Sequence, residues 1–137
     1  MKYLFDTNVV SQLAKQEPHR KVAEWLSKID QESFYISVIT VAEIRNGVDS
    51  LPEGKKRQAL TTWLERDLPM QFAGRVLAVD LEVADRWGNS ASGAKGPFSA
   101  MDGLISATAL VHRMELMTRN TRDFAVPGLR VINPWSE

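Results

Sequence analysis

The sequence predicts an α/β fold, a three-layer α/β/α sandwich around a mostly parallel central sheet of about five strands. Three observations carry the prediction. Short apolar runs alternate with longer stretches of helical periodicity along the whole chain. Most of the helical stretches open on a Ser, Thr or Asp suited to capping. No internal repeat, low-complexity tract or long linker interrupts the alternation, so residues 1–137 are expected to form a single domain.

The elements follow in order. Tyr3 to Phe5 reads as a buried strand with Asp6 at its end. Asp6 or Thr7 can cap a helix from about Asn8 to Ala14, with Val9, Val10 and Leu13 as its apolar stripe. Pro18 suits a first helical turn, and Val22, Trp25, Leu26 and Ile29 follow at i, i+3, i+4 and i+7. Ser33 to Ser37 is a second strand, and Ser37 caps a helix over Val38 to Asp49. Leu51-Pro52-Glu53-Gly54 is a turn. A fourth helix is predicted from Lys55 to Leu68, striped by Leu60, Trp63, Leu64 and Leu68 and ended by Pro69. Arg75 to Val79 is a third strand, after which Asp80 caps a helix through about Trp87. Asn89 to Pro97, rich in Gly and Ser, is predicted as a mobile loop. Ser99 caps a sixth helix, Ala100 to Arg113, and Glu115 to Thr118 and Leu129 to Ile132 complete the strands.

Composition excludes several classes. The chain has no cysteine, which removes disulfides, thiolate metal sites and thiol catalysis and fits a reducing compartment. No segment is apolar for long enough to span a membrane, and Asp6 interrupts any signal-like start, so a soluble cytoplasmic protein is expected. Lys+Arg and Asp+Glu both number 17, so nucleic-acid binding would have to come from local patches.

Asp6 lies at the carboxyl end of a strand, where open α/β sheets bind ligands. Three further acids can converge on it. Glu43 sits inside an apolar run and shares a helical face with Ile39, Ala42 and Gly47. Asp102 lies in the first turn of the sixth helix, on the face of Ile105, Ser106 and Ala109. Asp123 follows the fourth strand. Singly, each has a structural explanation: an N-cap for Asp6, a capping box with Ser99 for Asp102, a turn cap for Asp123 and a solvated face for Glu43. As a set they do not. Two carboxylates about 4 Å apart repel by roughly 4 kcal/mol at an effective dielectric near 20. No lysine lies within these motifs to offset that. Hard carboxylate oxygens select Mg²⁺ or Mn²⁺, and His19 and His112 are too isolated to make a zinc site.

Four segments in sequence order then resemble one family. They are Leu4-Phe5-Asp6-Thr7-Asn8, Ala42-Glu43-Ile44-Arg45-Asn46-Gly47, Asp102-Gly103-Leu104-Ile105-Ser106-Ala107-Thr108-Ala109 and Thr118-Arg119-Asn120-Thr121-Arg122-Asp123-Phe124. Together they are similar to PIN-domain ribonucleases, most closely the VapC/FitB-like toxins of bacterial type II toxin–antitoxin systems. The resemblance implies a Mg²⁺- or Mn²⁺-dependent endoribonuclease inhibited by a cognate antitoxin. That antitoxin would be of ribbon-helix-helix or other DNA-binding type and would carry the complex to operator DNA. The resemblance places Asp6, Glu43, Asp102 and Asp123 as the acidic metal-binding and catalytic set, with Thr7 and Asn120 as the polar positions beside it. Gly103 departs from the family pattern, where a larger residue is more usual.

Substrate phosphates would need a basic rim, for which Lys15, Arg20, Lys21, Arg45, Arg119 and Arg122 are candidates. Lys55, Lys56 and Arg57 read more simply as a solvated helix start. Trp87 and Trp135 could stack bases, whereas Trp25 and Trp63 fall on apolar stripes. Helices two to four carry more apolar stripe than one thin sheet needs, so a homodimer is expected. An aspartyl-phosphate phosphatase is disfavoured, because it would need a second Asp two residues after Asp6, where Asn8 stands. A receiver domain lacks its acidic pair. The alternative from another class is a catalytically weak PIN-like module that acts with a DNA-binding antitoxin in operon autoregulation.

Overall fold

The structure, a computed structural model, describes residues 1–93 and 99–136. Five strands, β1 (Tyr3–Phe5), β2 (Phe34–Ser37), β3 (Val76–Leu77), β4 (Glu115–Met117) and β5 (Val131–Ile132), form one sheet in the order β3-β2-β1-β4-β5. Every pairing is parallel. The helices are α1 (Thr7–Leu13), α2 (Arg20–Ser27), α3 (Val38–Asp49), α4 (Lys55–Thr62), α5 (Leu68–Gln71), α6 (Leu81–Gly93) and α7 (Ala100–Val111).

The register explains the layers. Tyr3 pairs with Phe34 and Leu4 with both Tyr35 and Leu116, while Phe5 pairs with Met117. Side chains alternate across a strand, so Phe5, Phe34, Ile36 and Met117 share one face and Leu4 and Leu116 the other. The first face packs on Val9 and Val10 of α1, Ile44 and Val48 of α3, and Leu64, Leu68 and Phe72. Phe5 and Phe34 lie 4.5 Å apart, and Trp25 meets Tyr3 edge-on at 5.4 Å. The second face packs on Ile105 and Ala109 of α7 and on Phe124. The predicted sandwich is therefore the one formed, and its five strands are all parallel.

Two boundaries differ from the sequence expectation. Pro69 does not end the fourth helix. The helical path runs on to Gln71 through a π-helical turn over Trp63–Asp67, in which the Leu68 N–H donates to the Trp63 carbonyl. Proline has no N–H, and its ring collides with the carbonyl four residues earlier in an α-helix. A wider turn just before it eases the collision. The second difference is in the stretch Asn89 to Pro97. Helix α6 continues through Gly93 rather than stopping near Trp87, and residues 94–98 lie outside the described residues. Glycine costs a helix interior about 1 kcal/mol, which the packing of α6 along α7 outweighs. No helix of the described residues is long and apolar enough to cross a membrane.

Candidate acidic centre at the carboxyl edge of the sheet

In a parallel sheet all carboxyl ends lie along one edge, and β1 and β4 are neighbours there. Asp6 is the first residue beyond β1, and its N–H donates to the Met117 carbonyl at 2.9 Å. Thr118 is the first residue beyond β4. Asp6 is only 6% exposed, a costly place for a carboxylate unless donors surround it. Three do. The Thr7 N–H donates to Oδ1 at 2.8 Å, the Thr118 hydroxyl to Oδ2 at 2.7 Å and the Asn8 amide to Oδ2 at 3.3 Å.

The network has a single sense. The Thr118 hydroxyl oxygen already accepts from the Asn120 N–H at 3.0 Å and from the Asn8 amide at 3.3 Å. Its one hydrogen is therefore committed to Asp6. The Asn8 carbonyl oxygen accepts from the Arg119 N–H at 3.2 Å, which turns the amide nitrogen toward Asp6 and Thr118. Asn8 and Thr118 thus tie the ends of β1 and β4 together around the carboxylate.

Each remaining acid arrives on its own element. Ser37 caps α3 by accepting from the Ile39 N–H at 3.0 Å, and α3 brings Glu43 to Thr7, whose hydroxyl donates to Glu43 Oε1 at 2.7 Å. Ser99 caps α7 by accepting from the Asp102 N–H at 3.1 Å. The Gly103 N–H closes the same turn on the Ser99 carbonyl at 3.0 Å, so this glycine leaves the helix start intact. A short helical turn, Thr121–Phe124, carries Asp123, anchored by Phe124 in the core.

The four carboxylates share one electrostatic field. Asp102, half-buried, has its carboxyl pushed up from 3.8 to about 6, first by burial and then by the charges of Asp6, Asp123 and Glu43. Asp6 is also raised, mainly by burial and slightly by Asp123, against the lowering effect of the Thr118 and Thr7 bonds. Among the described residues, the ion pairs formed involve none of the four. Among the same residues, no three His, Asp or Glu side chains stand close enough together to hold a metal ion as placed. Glu43 leans on Thr7 and Asp123 is exposed, so the acids form a field of negative charge rather than a closed cage.

The predicted neighbours of the centre divide. Thr7 holds Glu43 through its hydroxyl and Asp6 through its N–H. Among the described residues, Asn120 reaches the network through its backbone N–H and not its side chain. Asn8 and Thr118, which grip Asp6 directly, were not singled out from the sequence. The available signal was positional: both follow the ends of two strands that are adjacent in the sheet. A groove of about 670 Å³ opens beside the centre, lined by Thr7, Glu43, Lys15, Val48, Leu60 and Trp63 among others.

Comparison with known proteins gives concordant results. The PIN domain family profile matches residues 3–128. The chain is 40% identical over 135 residues to VapC ribonuclease Y4jK of Sinorhizobium fredii, covering 96% of each chain. It is 40% identical over 137 residues to Toxin FitB of Neisseria gonorrhoeae, covering 98% of this chain and 99% of that one. A solved structure of FitAB bound to an IR36 DNA fragment superposes with a TM-score of 0.86 at 39% identity, covering 97% of this chain and 95% of that one.

Proposed function

The chain belongs to the PIN-domain family, and from that premise we propose that it is the ribonuclease toxin of a toxin–antitoxin pair. Its reaction would be hydrolysis of RNA phosphodiester bonds at the acidic centre with Mg²⁺ or Mn²⁺. The observation that carries this reading is the convergence of Asp6, Glu43, Asp102 and Asp123 at one sheet edge with no cationic side chain paired to them among the described residues. A hard divalent cation suits four carboxylates by donor chemistry.

When bound, the cation would supply Lewis acidity toward the attacking water and the phosphodiester oxygen. The chain's own residues supply the rest. Asp6, Glu43 and Asp102 would hold the cation directly or through water, and Asp123 would complete the set or orient the water. Asp6 keeps its orientation because three donors fix both of its oxygens. In-line attack would leave a 5′-phosphate.

The similar proteins named VapC ribonuclease and FitB, and the FitAB–DNA complex, support an antitoxin partner that carries this chain to operator DNA. The groove beside Glu43 is largely apolar, so a partner segment seated there would also block the acids. A second reading, an inert binding module, is favoured by the open spacing of the acids.

One experiment tests the proposal. Total RNA is incubated with the purified chain in Mg²⁺ or Mn²⁺ and in EDTA, using wild type and Asp102→Asn, and the new ends are mapped. Discrete cleavage by wild type that chelator or the substitution abolishes is expected. Equal cleavage by Asp102→Asn, or cleavage that persists in chelator, would overturn the site and the metal requirement respectively.

A further inference from the structure

Arg119 is the first residue after Thr118, and its N–H is bonded to Asn8, so its backbone is part of the acidic centre. Its side chain goes elsewhere. The guanidinium lies over the indole of Trp135, 5.5 Å from the ring centroid. None of its N–H donors meets an acceptor among the described residues, and no carboxylate there pairs with it. Two other arginines of the candidate rim are engaged by carboxylates instead: Arg45 by Glu65 at 2.7 Å and Arg20 by Glu24 at 3.0 Å.

Trp135 is itself set in place. Thr118 N–H donates to the Ile132 carbonyl at 2.9 Å, so the chain leaving β5 starts beside Thr118. The Asn133 side chain accepts from the Trp135 N–H at 2.9 Å, a tight turn that brings the indole back toward β4. The ring rests on the core cluster at one side, and His19 approaches it at 6.3 Å. An arginine whose backbone borders four acids would be drawn to them by charge; here the indole holds the guanidinium aside on an exposed residue.

We propose that Arg119, laid on Trp135, is a stacking shelf for one unpaired base of the RNA strand next to the acidic centre. This rests on the ribonuclease reading above. A guanidinium is planar and stacks, which an ammonium cannot do. One already oriented by an indole loses little rotamer freedom when a base covers it. Its unused donors would reach the adjacent phosphate.

The test uses the full chain carrying Asp102→Asn, in EDTA, so that RNA is bound and not cut. Binding of a short single-stranded RNA is followed by fluorescence anisotropy, with an abasic residue placed at each position in turn. The shelf predicts one position at which base removal weakens binding about tenfold, the scale of one base–aromatic stack. Adding Arg119→Lys should weaken binding of the intact RNA by a similar factor and erase the sensitivity at that position. Trp135→Leu should do the same, with thermal melts verifying that each variant is folded. Binding by Arg119→Lys with an unchanged abasic profile would overturn the shelf and leave only a phosphate contact. Failure of the Asp102→Asn parent to bind RNA at all would overturn the RNA reading itself, a different pattern from loss at one position.

Discussion

At the scale of residues, Asp6 is held by chemistry more than by charge. Its Oδ2 receives the Thr118 hydroxyl at 2.7 Å in a buried site, and that hydroxyl oxygen serves two further donors. Thr118→Val keeps the shape and removes all three bonds, leaving a buried charge short of a donor. The expected loss is about 1–3 kcal/mol of unfolding free energy in urea titrations. Thr118→Ser should recover most of it, and equal stability of the Val and Ser variants would show that the hydroxyl is idle. The same geometry makes Asp102→Asn a cleaner inactive variant than Asp6→Asn. An amide at position 6 would present its N–H₂ to groups that already donate. The positions of the acids were legible in the sequence because Asp6 and Asp123 follow strands, Glu43 interrupts an apolar run and Asp102 stands in the first turn of a helix. Asn8 and Thr118 were not, because their role depends on two strands 112 residues apart by their bonded ends lying side by side.

At the scale of elements, local rules located most helix starts. Ser37, Asp80 and Ser99 cap as their sequence positions suggest, with Asp80 accepting from the Val83 N–H at 3.0 Å. What was illegible is decided by packing. Local rules stop the fourth helix at Pro69 and the next near Trp87, but tertiary contacts carry both on through a π-turn and along α7. Strand ends were also shorter than predicted, since β3 and β5 keep only the residues that pair with a neighbour. The Ser99 cap matters beyond its own helix, because it sets the first turn from which Asp102 projects. Ser99→Ala should destabilise the protein by about 1 kcal/mol, read as a lower midpoint in thermal melts. It should also reduce RNA cleavage more than a cap removed elsewhere, such as Asp80→Ala. Equal effects of the two on cleavage would mean that α7's start does not position the acid.

At the scale of the whole molecule, the sheet order β3-β2-β1-β4-β5 draws together residues 6, 43, 102 and 123, which sequence spacing alone leaves far apart. The cost of that convergence is measurable. Asp102 titrates at about 6 in the folded chain against 3.8 ordinarily, so between those values the folded state holds a proton that the unfolded state has lost. By linkage, its contribution makes stability fall as pH rises from about 4 to about 6 and stay level above that. Asp6, also raised, acts in the same direction. Taken at face value the raised carboxyl would be worth about 3 kcal/mol, but Asp102 is half-exposed and solvent screening reduces this to about 1 kcal/mol. Without metal, Asp102→Asn should therefore be more stable than wild type by about 1 kcal/mol at pH 7, and the difference should vanish near pH 4. Mg²⁺ or Mn²⁺ should reverse the order at pH 7, because a cation that binds only the folded wild type raises its melting midpoint with concentration. A midpoint unmoved by either cation would favour the inert binding module, since a fold that gathers four acids and takes no cation bears their repulsion for no chemical return.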